Sequence, residues 1–420
     1  MKPKLLTTLQ GYTGRLFIGD LFAGISVALV AIPLSIAIAI ASGAPPEAGL
    51  VTAIVAGFLI SALGGSRVQI GGPTGAFIVV VYSVIAEHGY DGLVLATLMA
   101  GAILIVAGLL RAGSLIAYVP EAVVNGFTIG IAIVIAASQL KDFAGVAATD
   151  LPADFLPKMA ALWNARASAN WGAVSIGVGT LAAIMVLRRF VPRVPDRLVG
   201  TVLLSLVAAL LILPVETIAS QYGELPRSLP APSFPEVTGS RIAELLPSAF
   251  VIAFLAAVES LLSAMVADRM IGGSHRPNAE VLAQGWANIG SALFGGLPAT
   301  GAIARTATNV RAGGKTPVAG IIHALVILLV LLTMAPLAGY LAMPALAALL
   351  IMTAWNMSEP HKWRGYWGAP NAERLLLVLT LVLTVLADLT VAIGVGVGLG
   401  LAIRLRDSKL RAEEWDPPEP

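Results

Sequence analysis

Apolar stretches recur along almost the whole chain, each separated from the next by a few polar, Gly or Pro residues. Runs near 21–42, 47–64, 75–86, 92–117, 121–140, 171–187 and 198–215 are followed by runs near 243–267, 279–296, 302–312, 316–335, 343–357, 373–387 and 389–405. Most approach the roughly 20 residues that cross a ~30 Å hydrocarbon core, so they predict membrane-spanning α-helices. The third and tenth runs are short and begin inside Gly/Pro-rich sequence. Between the two sets of seven lies LPRSLPAPSFPEVTG (Leu225 to Gly239), whose prolines predict an extended connector.

Composition agrees: 57% of residues are hydrophobic and 12% charged, too few charges to cover the surface of a soluble domain of this length. The absence of cysteine excludes disulfides and thiolate chemistry, and the four histidines show no metal-ligand spacing, so neither a metal nor another cofactor is expected. Nor does any Ser/His/Asp or paired-carboxylate constellation suggest an enzyme, and nothing suggests nucleic-acid binding.

Net charge is uninformative here, but its placement is not. A fourteen-span reading puts 20 of the 26 Lys and Arg residues in loops on one side and 5 on the other, leaving only Arg305 unassigned. The positive-inside rule then places both termini in the cytoplasm of a cell whose plasma membrane, a bacterial inner membrane, holds the chain. Residues 1–19 form a polar, basic cytoplasmic segment with no apparent cleavable signal, and 406–420 a short cytoplasmic tail.

The two sets echo each other. Ser61-Ala62-Leu63-Gly64-Gly65 leads to Pro73-Thr74-Gly75-Ala76 and a short helix, and Ser291-Ala292-Leu293-Phe294-Gly295-Gly296 leads to Ala299-Thr300-Gly301-Ala302 and another. Seven is odd, so the second copy crosses the membrane in the opposite sense, an inverted repeat. Paired interrupted segments of this kind mark substrate sites in secondary transporters. The first N–H groups of a helix lack intrahelical partners and carry partial positive charge, so two such ends meeting near the midplane attract an anion. Tight packing would account for the glycines, but not for the shortness and pairing of these segments. The approaches Gly71-Gly72-Pro73 and Leu297-Pro298-Ala299 are expected to be enclosed and extended, with a strand pairing between them.

The candidate substrate residues are Thr74, Gly75, Ala76 and Phe77 at the third span, and Thr300, Gly301, Ala302, Ile303, Ala304 and Arg305 at the tenth. Pro33, Leu34 and Ile38 line the first span, where Pro33 predicts a kink. Glu259 sits in the middle of the eighth span, and an ionisable group there is a coupling candidate: it would cycle a proton, or hold Na⁺ with Ser260 and Ser263. Arg305 would add positive potential to the site, pair with Glu259, or reach into a water-filled cavity. Thr306, Asn309 and Arg311 read as vestibule lining or helix-end packing. Asp268, Arg269, His275, Arg276, Asn278 and Glu280 read as loop and cap polarity, Glu121 as a helix-start carboxylate, and His323 as a packed histidine. Trp355, Trp363, Tyr366 and Trp367 suggest an interfacial aromatic belt.

GGPTGAFIVVV (Gly71 to Val81), PEAVVNGFTIGIAI (Pro120 to Ile133) and above all NAEVLAQGWANIGSALFGGLPATGAIARTATNVRAGGKTPVAG (Asn278 to Gly320) resemble the SulP anion transporters. These include sulfate permeases, bicarbonate and dicarboxylate carriers, and anion exchangers related to prestin. The resemblance, over about Asp20 to Arg404, implies a seven-plus-seven inverted-repeat fold with short half-helices 3 and 10. It implies a core domain of spans 1–4 and 8–11 (20–140 and 243–335, with span 5 starting the gate) and a gate domain of spans 5–7 and 12–14 (121–215 and 343–405). It also implies a homodimer. No STAS domain follows the last span before Pro420, so the expectation is either a shortened sequence or a member that lacks the domain, and the frequent Pro-Gln pair of the first span reads Pro33-Leu34.

The reading is therefore a proton-coupled symporter of a small inorganic or carboxylate anion (dicarboxylate, bicarbonate or sulfate), working by elevator-like alternating access. A Na⁺-coupled bicarbonate symporter and an anion exchanger or channel are the alternatives. A nucleobase:proton symporter of the same fold is a more distant one, because the Ala, Ile and Gly lining offers a base few hydrogen-bonding side chains.

Overall fold

The computed structural model describes residues 2–113, 119–148, 151–191, 194–387 and 389–406, giving no side-chain detail for 404–406. Most of the expected tail, with Lys409 and Arg411, and the loop residue Arg193 lie outside the described residues.

The chain is mostly helical. A short α1 (Lys4–Thr8) precedes α2 (Gly14–Ala41) and α3 (Pro46–Leu63); strand β1 (Gly71–Gly72), a 3-10 turn (Gly75–Phe77) and α4 (Ile78–Leu109) follow. Next come α5 (Glu121–Ser138), α6 (Leu140–Ala144), α7 (Phe155–Asn164), α8 (Trp171–Phe190), α9 (Asp196–Leu210) and α10 (Ile218–Tyr222). Residues 225–238 are non-helical, as their prolines require, and lead to α11 (Gly239–Ile271) and α12 (Pro277–Leu293). Strand β2 (Thr300–Gly301), α13 (Ile303–Arg311), α14 (Val318–Ala338), α15 (Met343–Met357), α16 (Trp363–Gly368), α17 (Asn371–Leu386) and α18 (Leu389–Arg406) complete the described chain. Among the described residues, seven helical stretches are long and apolar enough to cross a membrane.

Several boundaries differ from the hydropathy reading. The third and fourth apolar runs share α4, divided at Gly89, whose φ of 70° and ψ of −179° break the helical path; this is a conformation that glycine adopts without steric cost. The seventh run was expected to reach 215, but α9 ends at Leu210 because Ile212 takes a positive φ of 49° and Pro214 follows. Helix α2 begins seven residues before its apolar run, capped by the Thr13 hydroxyl, which accepts the Leu16 N–H at 3.4 Å. It continues as helix through Pro33.

Packing sorts the helices into two groups. The contacts of α4 with α11 and α12, of α14 with α2 and α3, and of α13 with α2 and α11 form one group; those of α5 with α15, α17 and α18, and of α8 with α9 and α15, form the other. The α4–α12 crossing is very close: a Cβ at Gly101 would lie 2.8 Å from the Gly285 carbonyl, and one at Gly285 as near the Gly101 carbonyl. Small residues at such crossings let helix backbones meet where lipid gives no hydrophobic drive.

Two buried carboxylates fasten the first group. Glu280, expected as loop or cap polarity, is instead fully buried in the first turn of α12. Its Oε2 accepts the N–H groups of Gly65 (2.8 Å) and Ser66 (3.2 Å), and its Oε1 accepts from the Ser260 hydroxyl (2.9 Å) and Gln284 Nε2 (2.8 Å). Asp20 accepts the Lys315 N–H at 2.8 Å, the Thr316 N–H and hydroxyl, and the Tyr12 hydroxyl at 3.0 Å. Burial, followed by the Asp20 charge, pushes Tyr12 up to about 12.

Candidate functional site

The interrupted segments meet. Strands β1 and β2 pair antiparallel, Gly71 with Gly301 and Gly72 with Thr300, and the Ala302 N–H donates to the Ile70 carbonyl at 2.8 Å. Residues 71–73 and 297–301 are buried, as irregular backbone at membrane depth has to be. Glycine at 301 is required by space: a Cβ there would fall 1.5 Å from Gln69 Nε2.

Each strand delivers the chain to a helix start with no side-chain cap, at Thr74 before the 3-10 turn and at Ala302 before α13. Their leading N–H groups are therefore left to a ligand or to water. The Thr74 hydroxyl, not used as a cap, donates to Glu259 Oε2 at 2.9 Å. Arg305 is 2% exposed; its Nη2 donates to the Pro73 carbonyl (2.9 Å) and the Ser35 hydroxyl (3.2 Å), while Nε and Nη1 have no partner.

These groups border a cavity of about 1050 Å³. Leu34, Ile38, Thr74, Gly75, Ala76, Glu259, Gly301, Ala302, Ile303, Ala304 and Arg305, all singled out in the sequence, line it. Pro33, Phe77 and Thr300 are buried beside it without lining it, and the Thr300 hydroxyl donates to the Ala256 carbonyl at 2.7 Å. Away from the helix starts the cavity reaches Arg188, Arg197, Arg311 and Lys362, all of which the charge count assigned to the basic side. Lys158 of α7, which the charge count assigned to the other side, lies over the Tyr82 ring, 4.6 Å from its centroid.

Two of the arrangements expected are not formed among the described residues. Arg305 makes no ion pair with Glu259. Ser260 is spent on Glu280, Gln69 and Gln284, and the Ser263 hydroxyl bonds that of Thr306 at 3.1 Å, so neither serine joins Glu259 in an oxygen cluster. Of the two roles expected for Thr306, Asn309 and Arg311, the first two residues pack, holding the approach to β1 through the Ile70 N–H (3.1 Å) and the Val68 carbonyl (2.7 Å), while Arg311 lines the cavity. His323 is fully buried with neither ring nitrogen partnered, in keeping with a packed histidine.

The reading of the sequence missed the facing wall. Asn125 and Thr128 of α5, Thr353 and Asn356 of α15, and Arg197 of α9 also line the cavity. A signal existed: each of the first two pairs is spaced three apart within an apolar run, which puts two polar groups on one helix face.

Residues 17–380 match the sulfate permease family. The chain is 43% identical over 373 residues to YvdB of Bacillus subtilis, assigned as a sulfate transporter, covering 88% of this chain and 70% of that protein. It is 31% identical over 341 residues to the bicarbonate transporter BicA of Picosynechococcus, covering 79% of this chain and 60% of that one. Among solved structures, the transmembrane domain of a cyanobacterial BicA superposes with a TM-score of 0.82 at 31% identity, covering 91% of this chain and 99% of that one. Murine Slc26a9, an anion transporter solved in an inward-facing state, has a TM-score of 0.87 at 18% identity, covering 97% and 71%, a likeness of fold.

Proposed function

Because the chain belongs to the sulfate permease family, and is thus a membrane transporter and not an enzyme, we propose that it is a secondary carrier of small oxyanions or dicarboxylates working by alternating access. The observation that carries this reading is the β1–β2 pairing, which sets two uncapped helix starts and the unmatched donors of Arg305 at one cavity. Preorganised N–H groups and a guanidinium favour an anion whose hydration they replace, with no rearrangement at the moment of binding.

Fourteen spans arranged as a seven-plus-seven inverted repeat are the topology we infer, with α4 divided at Gly89 into the third and fourth and α13 as the short tenth. The two packed groups of helices correspond to a core (α2–α4 and α11–α14) and a gate (α5–α9 and α15–α18). The distribution of basic loops supports cytoplasmic termini, and with them a cavity open to the cytoplasm. Movement of the core against the gate would carry the helix starts to the other face.

Proton coupling is favoured over Na⁺ coupling. Glu259 borders the cavity and holds Thr74, the residue that begins the third span, so its protonation state is tied directly to the site. A Na⁺ site needs several converging oxygens, and the two nearby serines are already engaged. The test is uptake of labelled sulfate, bicarbonate and a C4-dicarboxylate into proteoliposomes under imposed pH and Na⁺ gradients. Saturable uptake of at least one, driven by a proton gradient and indifferent to Na⁺, is expected. Large unitary currents, or no saturable uptake of any anion, would overturn the reading.

A further inference from the structure

The cavity holds a second cationic group that the site described above does not use. Arg197, the second residue of α9, lines the cavity from the facing wall, near enough to Arg305 for the two guanidinium groups to repel. Most other cations on the cavity wall are matched. Arg188 pairs with Asp196 at 3.1 Å and Lys362 with Glu359 at 3.2 Å, while the Glu259 carboxyl accepts from the neutral Thr74 hydroxyl. Asp196, the acidic group that Arg197 senses, takes the Arg197 backbone N–H at 2.9 Å and the Arg188 side chain. Among the described residues the Arg197 guanidinium itself has no hydrogen-bond partner, and Arg305 keeps two unmatched nitrogens.

Two cations bordering one cavity are costly away from bulk water. One monovalent anion offsets half of that charge. A dianion offsets all of it, and each planar guanidinium presents a fork suited to a sulfate or carboxylate edge.

We propose that Arg197 and Arg305 form a two-cation clamp for a divalent oxyanion or dicarboxylate, closed when the cavity is open as in this structure. The proposal rests on the carrier reading above and narrows its substrate class. Arg305 belongs to the core group and Arg197 to the facing group, so the clamp spans both. It has to break when the core moves, and Arg197 therefore strengthens binding only from the face on which the cavity opens.

The test uses the full chain in right-side-out and inside-out vesicles, with sulfate and bicarbonate as probes and Arg197→Gln as the variant. The expected result is a roughly tenfold greater loss of affinity for sulfate than for bicarbonate, the worth of one charge-assisted contact, seen from the cytoplasmic face alone and largely restored in Arg197→Lys. A second measurement needs no variant: in the wild-type protein, sulfate should protect both Arg197 and Arg305 from phenylglyoxal, read by mass spectrometry, and bicarbonate Arg305 alone. Equal loss for the two anions, loss on both faces, or no protection of Arg197 would overturn the clamp and leave the carrier reading standing. Failure of the wild-type protein to bind sulfate, bicarbonate or a C4-dicarboxylate would overturn the carrier reading, and the clamp with it.

Discussion

Alanine in place of Gly301 asks the β1–β2 junction to admit a methyl group where there is no space. The new Cβ would lie 1.5 Å from Gln69 Nε2 and 2.6 Å from its Cδ, so the amide has to retreat by about 2 Å to reach ordinary contact. Gln69 is 4% exposed, and its Nε2 donates to the Ser260 hydroxyl at 2.9 Å and the Ser260 carbonyl at 3.2 Å. Retreat breaks both bonds and strands a buried donor, at about 1–3 kcal/mol; if the amide holds, β2 is driven off β1 and overpacking costs about as much. Partial relaxation of both kinds gives an expected loss of roughly 2–4 kcal/mol. Thermal unfolding of the purified protein in detergent should show Gly301→Ala melting several degrees below wild type, and sulfate uptake should fall with it. The decisive comparison adds Gln69→Ala, which removes the obstructing amide. The double variant should be more stable than the sum of the two single losses implies, by about 1 kcal/mol or more. A wild-type melting temperature for Gly301→Ala, or strictly additive losses, would refute this account of the junction.

Glu259→Gln should make uptake in proteoliposomes insensitive to an imposed pH gradient while transport down the anion gradient persists; a retained proton dependence removes Glu259 from the coupling role. In Gly49→Ala the new Cβ would lie 1.9 Å from the Ser35 carbonyl, so α3 and α2 must separate and Ser35 leaves Arg305. The expected outcome is a lower melting temperature together with anion affinity reduced roughly tenfold, from one lost hydrogen bond to a charged group, and binding isotherms on the folded fraction check it. Asp20→Asn removes the charge that helps hold Tyr12 up at about 12. Tyr12 should then ionise at lower pH, read as the ultraviolet difference from a matched Tyr12→Phe chain, with a stability loss of about 1–3 kcal/mol.

What was legible in the chain was what depends on neighbours in sequence. Hydropathy sums over adjacent residues, so the apolar runs, the Pro-rich connector and the charge asymmetry could all be read directly, and most of the described residues in those runs are helical. The Gly/Pro breaks were legible for the same reason, because an extended approach at 71–73 or 297–299 follows from residues that cannot continue a helix. Pairing those breaks needed only the echo between SALGG with PTGA and SALFGG with ATGA, and the Gly71–Gly301 register bears the pairing out.

Tertiary structure decided which face of each helix a polar side chain occupies and which distant group it meets. Nothing near Glu280 in the chain announces that it accepts from Gly65, 215 residues away, and that contact turned an expected loop residue into a buried anchor. Ser260 follows Glu259 directly, yet it points to Glu280 and Gln284 while Glu259 borders the cavity with Thr74. The wall formed by α5, α9 and α15 escaped notice because single polar residues in apolar runs do not say whether they face lipid, protein or water. That is settled only when helices far apart in sequence pack, and here the packing placed Arg197 and Arg305 on one cavity.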